Sequence, residues 1–128
     1  MNIVLWILQV LLAVNFLLHG RLMLVPPTLQ AAPASRASGM AYIWAIPPGF
    51  RRFIGVAEVL AAIGLILPGL THILPWLTPL AATGLVIVMI SAVIFHVRRR
   101  EYSNIVFNLV LFALVAFVAY GRFVLSPL

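Results

Sequence analysis

The chain contains few charged residues and no cysteine. Asp, Glu, Lys and Arg together make up 8% of its 128 residues, and only two of these residues are acidic. Soluble domains have about 25% charged and about 45–50% apolar residues, whereas 65% of this chain is hydrophobic and its mean hydropathy is +1.21. These values exclude an ordinary soluble enzyme and indicate an integral membrane protein. The absence of cysteine excludes disulfides, thiolate metal sites and dithiol redox chemistry.

All eight basic residues are arginine, and they lie at the edges of apolar segments. A nucleic-acid-binding surface needs a basic patch on one face of a folded domain, whereas charges that flank apolar segments orient a membrane protein in the bilayer. We therefore expect the lipid bilayer, and not nucleic acid, to be the partner of this chain, despite its net charge of +6.

Four apolar segments are long enough to cross a bilayer, which takes about 17–25 residues in a helix. They run over about residues 2–24, 50–67, 76–97 and 102–125. They are continuously apolar, whereas the strands of a membrane β-barrel are short and alternate. Eight of the nine prolines lie outside them, and Pro79 falls in the first turn of the third, where a helix tolerates proline. The sequence predicts an all-α fold, with one transmembrane domain over residues 1–128.

The connections between the predicted helices differ in length. Residues 68–75 and 98–101 are short connections, and helices joined in this way are antiparallel neighbours. We therefore expect an antiparallel four-helix transmembrane bundle. The first connection, residues 25–49, is long and includes an aromatic segment around Tyr42 and Trp44 that suits the lipid headgroup zone. Two interpretations stay open: a solvated loop with an interfacial patch, or a lid over the mouth of the bundle.

The arginines are distributed unequally between the two sides of the predicted bundle. With four spans, the first and third connections share one side, and Arg122 is the one arginine on the opposite side. The positive-inside rule predicts that both termini lie outside and that the arginine-bearing connections are cytoplasmic, in the plasma membrane of a bacterium. We expect Arg98, Arg99 and Arg100 to set this topology and to contact anionic lipid.

Several polar side chains lie inside the apolar spans. A charge near a helix centre costs about 2.5–3.5 kcal/mol on insertion scales, so it normally faces the bundle interior. The spans carry Asn15 and His19, then Glu58, His96 and Asn108. At about 1.5 Å per residue, Glu58 stands about 10 Å into its helix, and the two asparagines fall at a similar depth. The two histidines are expected to form a layer above them, nearer the arginines.

Two interpretations of these polar residues stay open. Glu58 is either part of a ligand or proton site or a hydrogen-bonded anchor that holds the helices together. The other candidates for such a site are His19, His96, Asn15, Asn108 and Arg52. Histidines near a membrane boundary more often form hydrogen bonds than ligate metal or haem, so no metal site is predicted. No nucleophile–base pair or phosphate-binding loop is present, so no catalytic residue is predicted.

From the second span onward, short motifs follow one another in a distinctive order: Arg–Gly–Glu, Pro–Gly, Met–Ala–His and Gly–Arg. They lie in FRRFIGVAE at 50–58, GLILPGL at 64–70, PWLTPLAA at 75–82, MISAVIFH at 89–96 and AYGR at 119–122. In these motifs the chain resembles the DoxX-like family of small membrane proteins. The residues that match the family pattern are Arg52, Gly55, Glu58, Met89, Ala92 and His96. The resemblance assigns a catalytic role to none of them.

The resemblance implies a four-helix transmembrane bundle and a link to respiratory chemistry, since the family takes its name from a subunit of an archaeal quinol-oxidising system. We therefore expect an accessory or structural subunit of a membrane complex, linked to quinone or electron-transfer chemistry and without catalytic activity of its own. The alternative is a small-molecule binder or carrier that uses a polar intramembrane pocket around Glu58. Quinone and haem are the candidate cofactors, neither of them required by the sequence. Other membrane subunits and further copies of the chain are candidate partners.

Overall fold

Long apolar segments form helices in a membrane because a helix satisfies its own backbone N–H and C=O groups without water. The computed structural model describes residues 1–25 and 41–128, and over these residues it contains four long helices and no strand. We number them α1 (Asn2–Leu24), α2 (Pro48–Thr71), α3 (Leu77–Arg98) and α4 (Tyr102–Tyr120), and a π-helical turn (Gly121–Leu125) continues α4. Each helix is long and apolar enough to cross a membrane. The predicted all-α four-helix fold is thus confirmed.

The first connection is described only in part. Residues 26–40, with Arg36 among them, lie outside the described residues. The described part contains a short 3-10 turn, Ala41–Trp44, which precedes α2.

Helix α2 differs most from its predicted extent of residues 50–67. It begins at Pro48, where the missing proline N–H costs no helical bond. It also continues through the buried Pro68 to Thr71, so the prediction that Pro68 lies outside the helix is wrong. Pro68 leaves the carbonyl of Gly64 without its helical donor, and the Thr78 hydroxyl on α3 donates to that carbonyl at 3.0 Å. The hydrogen bond from α3 explains why the helix tolerates this proline.

The helices form a ring in which each packs on its neighbours in the chain, and α4 returns to α1. The pairs α1–α2 and α3–α4 pack most extensively, and α1–α4 least. Gly20, late in α1, contacts Gly55, early in α2, and Trp6, early in α1, contacts Gly69, late in α2. Contacts in this order are consistent with the predicted antiparallel arrangement. We call the end with residues 41–47 and 99–101 the loop end, and the opposite end the terminal end.

The backbones of α1 and α2 come close together at two glycines. A Cβ added to Gly55 would lie 2.9 Å from the carbonyl oxygen of Gly20 and 2.8 Å from Cγ of Leu24. A Cβ added to Gly20 would lie 2.9 Å from the carbonyl oxygen of Gly55 and 2.8 Å from Cγ2 of Val59. Small residues of this kind allow membrane helices to approach closely. Gly20 and Gly55 therefore set the close approach of α1 and α2.

A buried polar network joins three helices at the terminal end. Arg122 is 2% exposed, and it donates from Nε to Oε1 of Gln9 at 2.6 Å and from Nη1 to Oδ1 of Asn2 at 2.7 Å. Gln9 in turn donates to the backbone carbonyl of Leu65 on α2 at 2.5 Å. The guanidinium also lies over the Trp6 ring, 5.4 Å from its centroid. Arg122 was expected to be a charge flanking the membrane, but it is a buried link between α4, α1 and α2.

Gly55→Ala is expected to lower the free energy of unfolding by about 1–3 kcal/mol, because overpacking a tight contact outweighs the better helix propensity of alanine. Gly84→Ala is the matched control on α3, since nothing lies within 4 Å of a Cβ there. That control is expected to raise the same free energy by about 0.5–1 kcal/mol. Thermal unfolding in detergent measures both changes, and equal effects of the two substitutions would contradict the close contact.

Candidate functional site

The close approach of α1 and α2 brings a carboxylate and an imidazole together. Glu58 is 1% exposed and lies one turn after Gly55, and His19 immediately precedes Gly20. Oε2 of Glu58 is 2.6 Å from Nδ1 of His19. Because α2 begins at Pro48, Glu58 stands about 15 Å from the helix start, deeper than the about 10 Å expected.

The 3-10 turn adds a tyrosine to this pair. Tyr42 is 9% exposed, and its hydroxyl lies 2.6 Å from Nε2 of His19. The turn is held at the loop end because Ile43 and Ile46 are buried with Met23 of α1. This described part of the first connection therefore packs on the bundle, and both interpretations of the connection as a whole stay open.

The direction of the hydrogen bonds in this chain follows from the protonation of Tyr42. Burial raises the pKa of Tyr42 to about 12, and the negative charges of Glu58 and Glu101 act in the same direction. The hydroxyl is therefore protonated at neutral pH, and its one described acceptor is Nε2 of His19. An ionised carboxylate only accepts, so Nδ1–H of His19 donates to Oε2 of Glu58. We call Tyr42, His19 and Glu58 the polar chain.

His96 continues the polar groups toward the surface of the loop end. It is 3% exposed, and its ring stands edge-on to the Tyr42 ring, with 4.8 Å between centroids. Nδ1 of His96 lies 3.0 Å from Oε1 of Glu101, and Arg99 donates to the same oxygen at 2.8 Å. Glu101 therefore has an arginine partner, whereas the partner of Glu58 is the ring of His19.

Two cavities meet at the polar chain. The larger, of about 440 Å³, lies between α2 and α3, and the smaller, of about 350 Å³, lies between α1 and α4. Both are lined by His19, Tyr42, Met89 and Asn108. Apolar residues dominate the larger cavity, whereas Asn15, Ser103 and Asn104 also line the smaller one.

The structure brings together most of the residues that the sequence singled out. Glu58 and His96 line the larger cavity, Asn15 lines the smaller, and His19 and Asn108 line both. That these residues form a functional site stays a prediction.

His19 hydrogen-bonds to Glu58 directly, because α1 and α2 approach closely at their glycines. The amide of Asn108 donates to the backbone carbonyl of Asn104 on its own helix.

The arginines singled out at the loop end lie on its surface. Arg52 is exposed and lines neither cavity. Arg98, Arg99 and Arg100 are also exposed, as lipid-contacting residues would be.

Sequence reasoning missed Tyr42 and Glu101 as members of this cluster. The aromatic segment around Tyr42 was recognised, but its side chain was assigned to the headgroup zone. Tyr42 lies in the apolar segment 41–46, and a tyrosine in such a segment is the signal in the sequence that favours burial. Glu101 is one of only two acidic residues in the chain. It directly follows three arginines, and this position gives no indication of its contact with His96.

The donor set does not fit a metal or a haem held by two histidines. Among residues 1–25 and 41–128, no three His, Cys, Asp or Glu side chains are grouped to hold a metal ion. Both ring nitrogens of His19 are already hydrogen-bonded, so ligation of haem iron by His19 would break the polar chain.

Comparison with known families agrees with this fold. A sequence model of the DoxX-like family matches residues 7–118, which is more than half of the chain. The protein belongs to the DoxX-like family. This DoxX-like protein is a small integral membrane protein with four helices of membrane-spanning length. The match includes most of α1 and the first connection, which lie outside the motifs that carry the resemblance. No curated protein and no solved structure matches the chain.

The titration of Tyr42 is expected to have a midpoint near pH 12, compared with the ordinary value of 10.0. Between pH 10 and about pH 12 the unfolded chain releases the Tyr42 proton, whereas the native state retains it. The resulting stabilisation is therefore present below pH 10 and is lost as the pH rises toward 12. The absorbance of tyrosinate, measured as the difference between the protein and Tyr42→Phe, isolates this group. Tyr120→Phe, which removes an exposed phenol, is the control, and a Tyr42 midpoint near 10 would contradict the buried polar chain.

Proposed function

We propose that this DoxX-like protein binds a small lipid-soluble molecule within the membrane, in the larger cavity beside Glu58. The observation that carries the proposal is a buried carboxylate at the wall of a cavity of about 440 Å³. Its Oε2 accepts from His19, and its Oε1 has no hydrogen bond to any described residue. A mostly apolar cavity with a few convergent polar groups is typical of a ligand site, and ionisable groups inside a membrane mark ligand or ion pathways.

The larger cavity opens on the lipid-facing surface of the bundle. Phe50, Phe53 and Ile87 line it and are also 55%, 69% and 63% exposed, respectively. In a bilayer these side chains face the acyl chains, so a ligand reaches Glu58 laterally between α2 and α3. This route suits a molecule that dissolves in the membrane.

The family resemblance links proteins of this kind to quinone chemistry and to membrane complexes. A quinone ring presents carbonyl acceptors, but the carboxylate of Glu58 at the cavity wall is itself an acceptor. The O–H of Tyr42 and the N–H of His19 are engaged within the polar chain. We therefore propose a lipid-soluble ligand and do not assign it as a quinone. An accessory role in a complex is compatible with this binding.

We also propose the topology that the arginines predict, with both termini outside and the loop end cytoplasmic. Exposed arginines cluster at the loop end, at Arg52 and at Arg98, Arg99 and Arg100. Arg122, the described arginine of the terminal end, is buried in hydrogen bonds and presents no charge to the surface. The asymmetry of exposed charge is thus larger than the sequence alone indicates.

Because the chain has no cysteine, single cysteines can report the topology. Gly49→Cys at the loop end and Ser126→Cys at the terminal end are expected to react with an impermeant maleimide from opposite sides of intact cells. Labelling of Ser126→Cys alone from outside agrees with the proposal. Labelling of Gly49→Cys from outside, with Ser126→Cys protected, would reverse the topology.

Ala92→Trp is expected to reduce the amount of copurifying ligand at least about fivefold, because an indole fills much of the space that a drug-sized molecule needs. Ala92 lines the larger cavity on α3. Ile94→Trp is the control, since Ile94 is 49% exposed on the same helix and lines neither cavity. Both variants are purified in mild detergent, and extracts are compared by mass spectrometry.

Equal amounts of copurifying ligand from Ala92→Trp and Ile94→Trp, or recovery of bulk lipid alone, would contradict ligand binding in this cavity. In that case, membrane subunits that copurify with the protein would favour the accessory-subunit role instead.

A further inference from the structure

We propose that the larger cavity selects lipophilic organic cations, that is, positively charged molecules with apolar substituents. This inference rests on the proposed function and names the class of ligand that the same cavity takes. It is carried by the charge balance around Glu58, by the aromatic wall of the cavity and by its opening to lipid.

The charge balance differs between the two carboxylates of the chain. Glu101 contacts the guanidinium of Arg99. Glu58 contacts no arginine among the described residues, and its partner is the imidazole of His19 at 2.6 Å. No arginine lines either cavity in the part of the chain that the structure describes. Burying a carboxylate away from a permanent positive charge is costly, and a cationic ligand would supply that charge.

The wall of the larger cavity suits a cation with apolar substituents. The rings of Phe50, Phe53 and Tyr42 line it, as does Phe95, whose ring already has the Arg99 guanidinium over one face. The face of an aromatic ring attracts a cation, more strongly when water is excluded. Aliphatic side chains fill most of the remaining wall. The cavity therefore offers one negative group surrounded by apolar and aromatic surface.

The route to the cavity limits the ligand further. Exposed arginines at the loop end, Arg52 and Arg98 to Arg100, repel a cation that approaches from water. The opening at Phe53 and Ile87 faces lipid instead. The ligand must therefore dissolve in the bilayer, which small hydrated cations do not.

Three probes of similar shape and different charge test this selectivity: tetraphenylphosphonium, tetraphenylborate and the neutral triphenylphosphine oxide. Binding is measured by equilibrium dialysis in a non-ionic detergent, with protein-free micelles subtracted. Glu58→Gln keeps the shape of the side chain and removes its charge. We expect it to weaken phosphonium binding at least about tenfold and to leave the binding of the other two probes unchanged.

Ile73→Lys is the matched control, because it raises the net charge by one, as Glu58→Gln does, while Ile73 is 67% exposed and lines neither cavity. We expect this variant to bind phosphonium as the unchanged protein does. An equal loss in both variants would indicate a general effect of net charge and would overturn the assignment to Glu58.

The outcomes separate this inference from the proposed function. If the neutral probe binds more tightly than phosphonium, and Ala92→Trp abolishes its binding, the cavity binds ligands but does not select cations. If no probe binds, the cation inference is wrong. The amount of ligand that copurifies with Ala92→Trp then tests the proposed function separately. If Glu58→Gln does not fold, the preference of the unchanged protein for phosphonium over the neutral oxide tests the inference alone.

Discussion

The backbone contact between Gly20 and Gly55 is the constraint on which the rest of the loop end depends. With no Cβ on either residue, α1 and α2 approach closely enough for carbonyl oxygens to occupy the space that side chains would take. His19 precedes one glycine and Glu58 follows the other by one turn, so the same approach places their side chains in hydrogen-bond contact. A wider separation of the two helices would leave a buried carboxylate without a donor, at a cost that a membrane interior makes large.

The two ends of the bundle use polar residues in different ways. At the terminal end, Arg122 and Gln9 form hydrogen bonds with other helices, and among the described residues Nη2 of Arg122 is the one buried side-chain nitrogen or oxygen without a partner. This network adds a link between α1 and the end of α4, which pack sparsely on each other. At the loop end, Glu58 lines a cavity, and this difference is the physical basis for proposing a site there and for treating the terminal cluster as structural.

The cavities follow from the way the ring of helices closes. Because α1 and α4 make few contacts, space remains between them near Asn108 and Asn15. The 3-10 turn with Tyr42 closes the loop end over this space and over the larger cavity. The turn therefore acts both as a donor to His19 and as a wall of both cavities.

The sequence by itself determined the membrane location, the four spans and three of the buried polar residues, Glu58, His96 and Asn108, because hydropathy and helix length are local properties of the chain. It did not determine that α2 continues through Pro68, since the hydrogen bond that makes this tolerable comes from Thr78 on another helix. It also did not determine that His19 contacts Glu58, or that Tyr42 joins them. Those contacts depend on the rotation and separation of whole helices, and only the packing of the tertiary structure sets both.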